Sequence, residues 1–492
     1  MQFKPAGNSV TDLKSTKIVC TVGPKSQDEG TIAGMADAGM DIVRMNLSHG
    51  SHDFHEKTVK AVRKISKESG THIGILLDLQ GPKIRTRGLK KEPLILKKGH
   101  EIVLSTEDVP GDWKVLSVNY NKLPAEVKIG QTILLDDGNV KLEVTNKDEK
   151  RVTCRVAEGG IIRSYRGINL PDTKISAPSL TSKDVDDLDF GLKNGVDFIA
   201  LSFVRMKDDI TNLKEMIKKR GEDTPVIAKI EKPEALENID DIIECADGIM
   251  VARGDLGAET SPQDVPVLQK IIIRKCNLKG KPVITATQML ESMIAHPRPT
   301  RAEASDVANA IFDGTDCVML SEETAIGEYP VKTVKVMADI ARRAEEEMIS
   351  DGLYHSSQSI AQPIEGELHE AVSYHTCKIT DLVHPKFIIA FTLSGKTASL
   401  LSKYRPSVPI IAMSPNENIL RRLSLFCGVY GVHIGMVKST EKLLDQAERI
   451  TVRMGLCREG DTVVYVGGVP VMSGEATNML KVHTVRIGVR NL

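Results

Sequence analysis

Asp197-Phe-Ile-Ala-Leu-Ser202, Val226-Ile-Ala-Lys-Ile-Glu231 and Gly248-Ile-Met-Val-Ala-Arg253 follow one another through the middle of the chain. Each is a short apolar run that ends on a polar or charged residue. A near-continuous apolar run is what a parallel strand buried on both faces looks like. Five further runs have the same form: Lys17–Thr21, Asp41–Asn46, Ile73–Asp78, Pro282–Thr287 and Cys317–Ser321. Their starts recur about every 22 to 35 residues, apart from one long gap after the third run. Helical spacing fills most intervals, as over 55–69, 211–219, 233–245 and 301–312, the last with Thr300 placed to cap it. Eight strands alternating with helices and closed on themselves make a (β/α)8 TIM barrel, an α/β fold whose active site lies at the C-terminal strand ends. An open, doubly wound sheet is the alternative at this level.

The long gap has its own character. Between about Arg87 and Ala177 the helical pattern gives way to short apolar or alternating stretches such as Pro93–Leu96, Ile102–Leu104 and Val140–Val144. Asp136-Asp-Gly138 is a tight-turn signal ahead of the last of these. This pattern predicts an inserted β-barrel lid domain over 87–176, with the catalytic barrel split into 1–86 and 177–345. Beyond the charged helix 338–346, strands recur at 387–392, 409–413 and 462–466, which predicts a C-terminal α/β domain over 346–492.

The remaining arithmetic narrows the function. A chain of 492 residues predicts two to four domains. Lys and Arg number 65 against 66 Asp and Glu, a formal net charge of -1, so nothing marks a nucleic-acid binder. No apolar run approaches the roughly 20 residues of a membrane helix, and the first residues carry no signal-peptide core. The cysteines at 20, 154, 245, 276, 317, 377, 427 and 457 include no C-x-x-C pair. That spacing argues against zinc and disulfides, and predicts buried thiols in a cytoplasmic protein.

Side chains two apart on a strand point the same way, which puts Lys229 and Glu231 together at the end of the fifth run. Arg44, Asn46 and Ser48 stand in the same relation, Asp78 and Arg85 flank the exit of the third run, Asp255 follows Gly254, and Thr287 ends the seventh. In a barrel all of them converge. Two carboxylates are too few for a protein cage but suit Mg2+ completed by water and substrate oxygens. Arg44 and Arg85 suit a phosphoryl group, and Lys229 a developing oxyanion or enolate. Metal, Arg and Lys together are the inventory of phosphoryl transfer. The competing reading is an ion-pair network, Lys229 with Glu231 and Arg253 with Asp255, that only neutralises itself.

Several segments in order carry a resemblance over nearly the whole length: Thr16–Pro24, Met45–Gly50, Gly81–Thr86, Gly167–Pro171, Ile227–Glu231, Val251–Gly257, Ala286–Ser292 and Met319–Thr324. In these the sequence resembles the pyruvate kinases. The resemblance implies a Mg2+-dependent (or Mn2+-dependent) transfer from phosphoenolpyruvate to ADP, giving pyruvate and ATP, in a cytoplasmic homotetramer. It implies Lys229 as the essential Lys, and Glu231 and Asp255 as ligands of the divalent ion. Gly254, Asp255 and Thr287 would hold the substrate carboxylate, with Thr287 also serving the enolate's protonation. Arg44 and Arg85 would bind the phosphoryl group, and Asn46, His49, Arg85 and Arg166 the nucleotide. Asn46, Ser48, Asp78 and the Leu79 carbonyl match the family's K+ site. Lys83, however, stands where K+-requiring members carry an acidic residue, so its ammonium is expected to replace K+.

Thr392-Leu-Ser-Gly-Lys-Thr397 follows a strand, and Thr392, Ser394, Gly395, Lys396 and Thr397 form an expected phosphate cradle for a phosphorylated sugar or nucleotide effector. Trp113 reads as a lid-surface or packing residue, the run Ala338–Met348 as a solvated helix face, and His296 and His375 as structural. Two rival functions are a non-catalytic ligand sensor on the same fold and another enolate-forming barrel enzyme; the latter would need neither lid nor nucleotide contacts.

Overall fold

The computed structural model describes residues 13–136, 138–350, 362–437, 439–471 and 474–486. The eight expected runs form a closed parallel barrel. Its strands are β1 (Lys17–Thr21), β2 (Ile42–Asn46), β3 (Gly74–Asp78), β4 (Phe198–Leu201), β5 (Val226–Ile230), β6 (Gly248–Ala252), β7 (Val283–Ala286) and β8 (Cys317–Leu320). Closure pairs β1 with β8, Lys17 opposite Cys317. Inside the ring Val19, Ile42, Leu76, Phe198, Ile227, Met250, Ile284 and Met319 pack together, while the outward residues meet the helices. The barrel interior is therefore a filled apolar core, which leaves the strand ends as the place for a polar site. Five strands stop one residue short of the apolar runs, so Ser202, Glu231, Arg253, Thr287 and Ser321 stand just past the ladder, where their backbones are free to turn inward.

Two local expectations change. The helix read over 233–245 is two, Pro233–Glu237 and Ile239–Cys245, because Asn238 turns its amide onto the Glu234 and Arg205 carbonyls between them. The run Ala338–Met348 is not simply a solvated face. It lies in one helix, Pro330–Ser350, and buries Ala338, Ala341, Ala344 and Met348. Glu345 is buried as well, accepting the Ser15 and Thr16 N–H groups at 2.7 and 2.6 Å. Carboxylate-to-amide bonds of that kind satisfy donors that no strand pairs.

The insertion leaves the barrel after β3 and returns before β4. Its main sheet has six strands, with a two-stranded ribbon beside it, around Leu104, Leu116, Ile133, Leu142, Val152 and other buried aliphatics. Trp113 is exposed on this lid beneath the Lys114 ammonium. The outgoing and returning segments pair where they cross, Arg85 opposite Gly167, and Ile168 N–H donates to the Ile84 carbonyl at 2.9 Å.

The C-terminal domain is a five-stranded sheet: β9 (Ile388–Phe391), β10 (Ile410–Ser414), β11 (Val429–His433), β12 (Thr462–Gly467) and the antiparallel β13 (Met479–Thr484). It packs on the barrel's N-terminal face, opposite the mouth. There Arg421 donates to Asp197 at 2.9 Å and Arg405 lies 3.0 Å from Asp316, both carboxylates heading barrel strands. His296 and His375 lie on the surface, and seven of the eight cysteines are buried. No helix among the described residues is long and apolar enough to cross a membrane.

Candidate active site

Strand register assembles the mouth. Asp78 lies opposite Ala200 across β3 and β4, and Leu201 opposite Ala228 across β4 and β5, so the ends of three strands face one another. Lys229 reaches into the space they leave. Its ammonium is 3.3 Å from Asp78 Oδ1 and 2.9 Å from Glu231 Oε1, and it donates to Ser202 Oγ at 2.7 Å. Burial opposes its charge, but Asp78 and Glu231 outweigh burial and raise its pKa. The pKa of Glu231 is also raised, and in a carboxyl that disfavours the charged form. Burial raises its pKa, Lys229 lowers it and Asp255 raises it again, for a net rise.

Arg44 holds Asp78 from the other side, with Nε and one Nη each 2.7 Å from Oδ2, and donates to Thr21 Oγ1 at 2.9 Å. These bonds engage three of its five N–H donors and leave two. Asp78 is accordingly held ionised: burial opposes its charge, and Lys229 and Arg44 overcome that to lower its pKa.

Asp255 lies in the first turn of a short helix, Arg253–Glu259. Its Oδ1 accepts from Lys83 at 2.8 Å. Burial is the largest influence on its pKa, and Lys83 and then Lys229 reverse it, for a net lowering. Lys83 thus faces the mouth. Arg253, two residues away, does not pair with Asp255 as the self-neutralising reading required. It lies 2.8 Å from Asp306 and donates to the Ala286 and Thr287 carbonyls at 3.2 and 2.6 Å.

That clamp holds an unusual turn. Thr287 and Gln288 have φ of 71° and 54°, and Phe203, across the mouth, has 55°. A β-branched residue in the left-handed region costs of order 1–3 kcal/mol and persists only where its surroundings hold it. Here the turn aims the Thr287 hydroxyl at the Gly254 N–H, 2.8 Å away. Phe203's own conformation brings its N–H onto Glu231 Oε2 at 2.7 Å.

The other expected residues divide. Asn46 Oδ1 accepts the Ser48 N–H at 3.1 Å, and the Leu79 carbonyl accepts from Ser202 at 2.7 Å, so much of the expected K+ shell is already hydrogen-bonded internally. His49 is exposed at the rim; partial burial, then the charges of Arg85 and Arg44, lower its pKa. Arg85 donates to the Tyr165 carbonyl at 3.1 Å, and Arg166, on the lid, lies 3.4 Å from Asp136. Both are held by lid groups, one at each crossing strand. Ser202 and the Arg253 clamp were missed from sequence, because their partners lie tens of residues away and leave no periodic trace.

The donor set fits a divalent ion. Among the described residues no three His, Cys, Asp or Glu side chains gather as a cage. Glu231 and Asp255 are hard oxygen donors of the type that suits Mg2+ completed by water and substrate oxygens.

A second cavity, about 190 Å³, opens at the C-terminal end of β9 and is lined by Thr392, Ser394, Lys396, Thr397, Glu475 and His369. Gly395 makes the left-handed turn (φ 89°) into helix Lys396–Lys403, and its N–H donates to Thr392 Oγ1 at 2.8 Å. His369 comes from helix Leu368–Val383 and was not foreseen.

Comparison with known proteins agrees with this architecture. Residues 13–334 match the family model described as pyruvate kinase, barrel domain, and residues 370–483 the model described as pyruvate kinase, alpha/beta domain. A curated pyruvate kinase of Geobacillus stearothermophilus is 45% identical over 476 residues, 96% of this chain and 80% of the relative. One from Staphylococcus epidermidis is 44% identical over 475 residues, 96% of this chain and 81% of the relative. The crystal structure of a pyruvate kinase from Cryptosporidium parvum superposes with a TM-score of 0.90 at 38% identity, covering 98% of each chain. This chain belongs to the pyruvate kinase family, and the enzyme is a phosphotransferase.

Proposed function

We propose that the enzyme catalyses phosphoenolpyruvate + ADP + H+ ⇌ pyruvate + ATP with Mg2+ (or Mn2+), as the last step of glycolysis. The observation that carries this reading is Lys229, held charged between Asp78 and Glu231 with Arg44 alongside. The bond from phosphorus to the enol oxygen breaks, a bond to a terminal ADP oxygen forms, and the enolate carbon takes up a proton. Arg44's two remaining donors and Arg85 bind the phosphoryl group. Lys229 meets the charge left on the enol oxygen, where a preorganised donor costs no reorganisation. The Gly254 and Asp255 backbone and the Thr287 hydroxyl receive the substrate carboxylate, and Thr287 orients the proton donor. Asn46, His49 and, from the lid, Arg166 take the nucleotide. Held by Glu231 and Asp255, the divalent ion would supply Lewis-acid neutralisation of phosphoryl and enolate oxygens. A coupled assay for ATP from phosphoenolpyruvate and ADP, with and without Mg2+, tests the reading; no ATP in the presence of Mg2+ would overturn it. We also take the protein to be cytoplasmic and homotetrameric, the latter open to sedimentation.

The Lys83–Asp255 contact supports activity without K+, since a fixed ammonium occupies the neighbourhood that a monovalent ion would otherwise serve. Full activity is expected in K+-free buffer containing a bulky organic cation. Lys83→Glu should create a K+ requirement, with activity rising at least about tenfold on adding K+; a charge of this kind is worth ~1.4 kcal/mol or more when partly buried. A strict K+ requirement in the unmodified enzyme would count against Lys83 as the substitute.

The cradle at 392–397 supports regulation by a phosphorylated effector. The loop 467–475 facing it has no Lys or Arg and ends at Glu475. A second phosphate there would be desolvated beside an acid. A sugar monophosphate or a nucleotide monophosphate is therefore expected to lower the phosphoenolpyruvate half-saturation more than fructose 1,6-bisphosphate does. Ser394→Asp should abolish the response by placing an anion in the cradle. Titrating each compound against activity checks this, and a bisphosphate outperforming every monophosphate would refute it.

A further inference from the structure

Outside the catalytic cluster, three buried polar residues join the lid to the barrel. Asn169, on the lid's returning strand, donates from Nδ2 to Glu259 Oε1 at 2.8 Å, and Lys232 donates to the same oxygen at 2.5 Å. Asn169, Glu259 and Lys232 are 2%, 3% and 7% exposed, so these bonds form where water does not compete. Asn169 is also in register with Leu134 inside the lid's main sheet, so the side chain moves with the lid. Glu259 ends the helix whose first turn carries Asp255, and Lys232 directly follows Glu231. One carboxylate therefore ties the lid to both elements that bear the metal-binding acids.

The neighbouring bonds make this the fixed end of the insertion. Arg205 donates to the Ile175 and Ala177 carbonyls at 2.5 and 2.9 Å, pinning the same returning segment to the barrel. Arg166, the lid's side chain proposed for the nucleotide, and Arg85, on the outgoing connecting strand, are held instead by exposed contacts within the lid and its crossing strands. Asn169 Oδ1 and Glu259 Oε2 are buried without a hydrogen-bond partner among the described residues. A buried network left partly unsatisfied is held by few bonds, and losing one of them is costly.

We propose that Asn169, Glu259 and Lys232 form a latch that sets the height of the lid over the mouth, with Asn169 a positioning residue for nucleotide capture. The inference rests on the proposed role of the lid in binding ADP. Of the residues proposed for phosphoenolpyruvate only Arg85 touches the lid, at the Tyr165 carbonyl, so the latch weighs more heavily on ADP than on phosphoenolpyruvate. Asn169→Leu, which keeps the volume and removes the donor, should raise the ADP half-saturation about tenfold, the scale of a lost hydrogen bond to a charged partner. The phosphoenolpyruvate half-saturation should change less than twofold. In a Lys232→Met/Glu259→Met background the same substitution should add less than twofold, because its partner is gone.

A second measurement needs no variant and no turnover. Amide exchange in the unmodified protein should be slow at 168–170 both with and without Mg2+ and ADP, and Asn169→Leu should accelerate it. An unchanged ADP half-saturation in Asn169→Leu, equal rises for both substrates, or the full effect persisting without Glu259 would each overturn the latch. So would exchange at 168–170 as fast as in the exposed lid turns. An enzyme that makes no ATP would remove the catalytic reading while leaving the exchange test of the latch intact.

Discussion

Lys229→Met is expected to cut kcat by at least ~10²–10³-fold, the loss that follows removal of one well-placed transition-state donor. The structure adds a second expected result. Lys229 is a counter-charge of two buried carboxylates, Asp78 and Glu231, and Met leaves Glu231 without that partner while Asp78 keeps Arg44. Breaking a buried pair by removing one partner typically costs ~3–5 kcal/mol, so the melting temperature should fall as well. Added Mg2+ should recover part of that loss if Glu231 binds it, because a ligand that binds only the folded state stabilises it. Single-turnover kinetics on protein shown to be folded at the assay temperature separates the two effects. A folded variant that retains most of its kcat would end the assignment of Lys229.

Glu231→Gln should shift the Mg2+ titration of activity to at least about tenfold higher concentration. Even groups that only support a metal ligand cost about 10–100-fold when removed, and Glu231 is proposed as a ligand itself. The amide keeps the shape and can still accept the Phe203 N–H, so the change is chiefly one of charge. Direct Mn2+ binding without substrates provides a readout free of catalysis. An unchanged titration in both measurements would place the metal elsewhere.

The barrel was legible because its strands are buried on both faces, which leaves continuous apolar runs that no loop imitates. The mouth was legible for a related reason. Lys229 and Glu231 sit two apart, and a polar residue ending an apolar strand has few other places to go. What stayed hidden depends on contacts distant in sequence. Ser202, which links Lys229 to the Leu79 carbonyl, reads only as the last letter of a strand. Arg253 reads as a partner for Asp255 until β7 brings the Thr287 turn beside it. Glu345 looks like one more charge on a charged helix until the Ser15 and Thr16 N–H groups are found against it. The break at Asn238 was invisible too, since a side chain that satisfies two carbonyls can interrupt a helix without Gly or Pro.

The crossing of the lid's two connecting strands also bears on how the chain reaches its native state. β3 must find β4 across about 120 residues, and joining chain ends so far apart is entropically costly and slow. If the lid folds first on its own apolar core, the bridge between Arg85 and Gly167 shortens that loop to about 40 residues. A threefold shorter loop lowers the closure cost by ~1 kcal/mol. The insertion then acts as a staple that draws the two halves of the barrel into reach of each other, before any substrate has a site to enter.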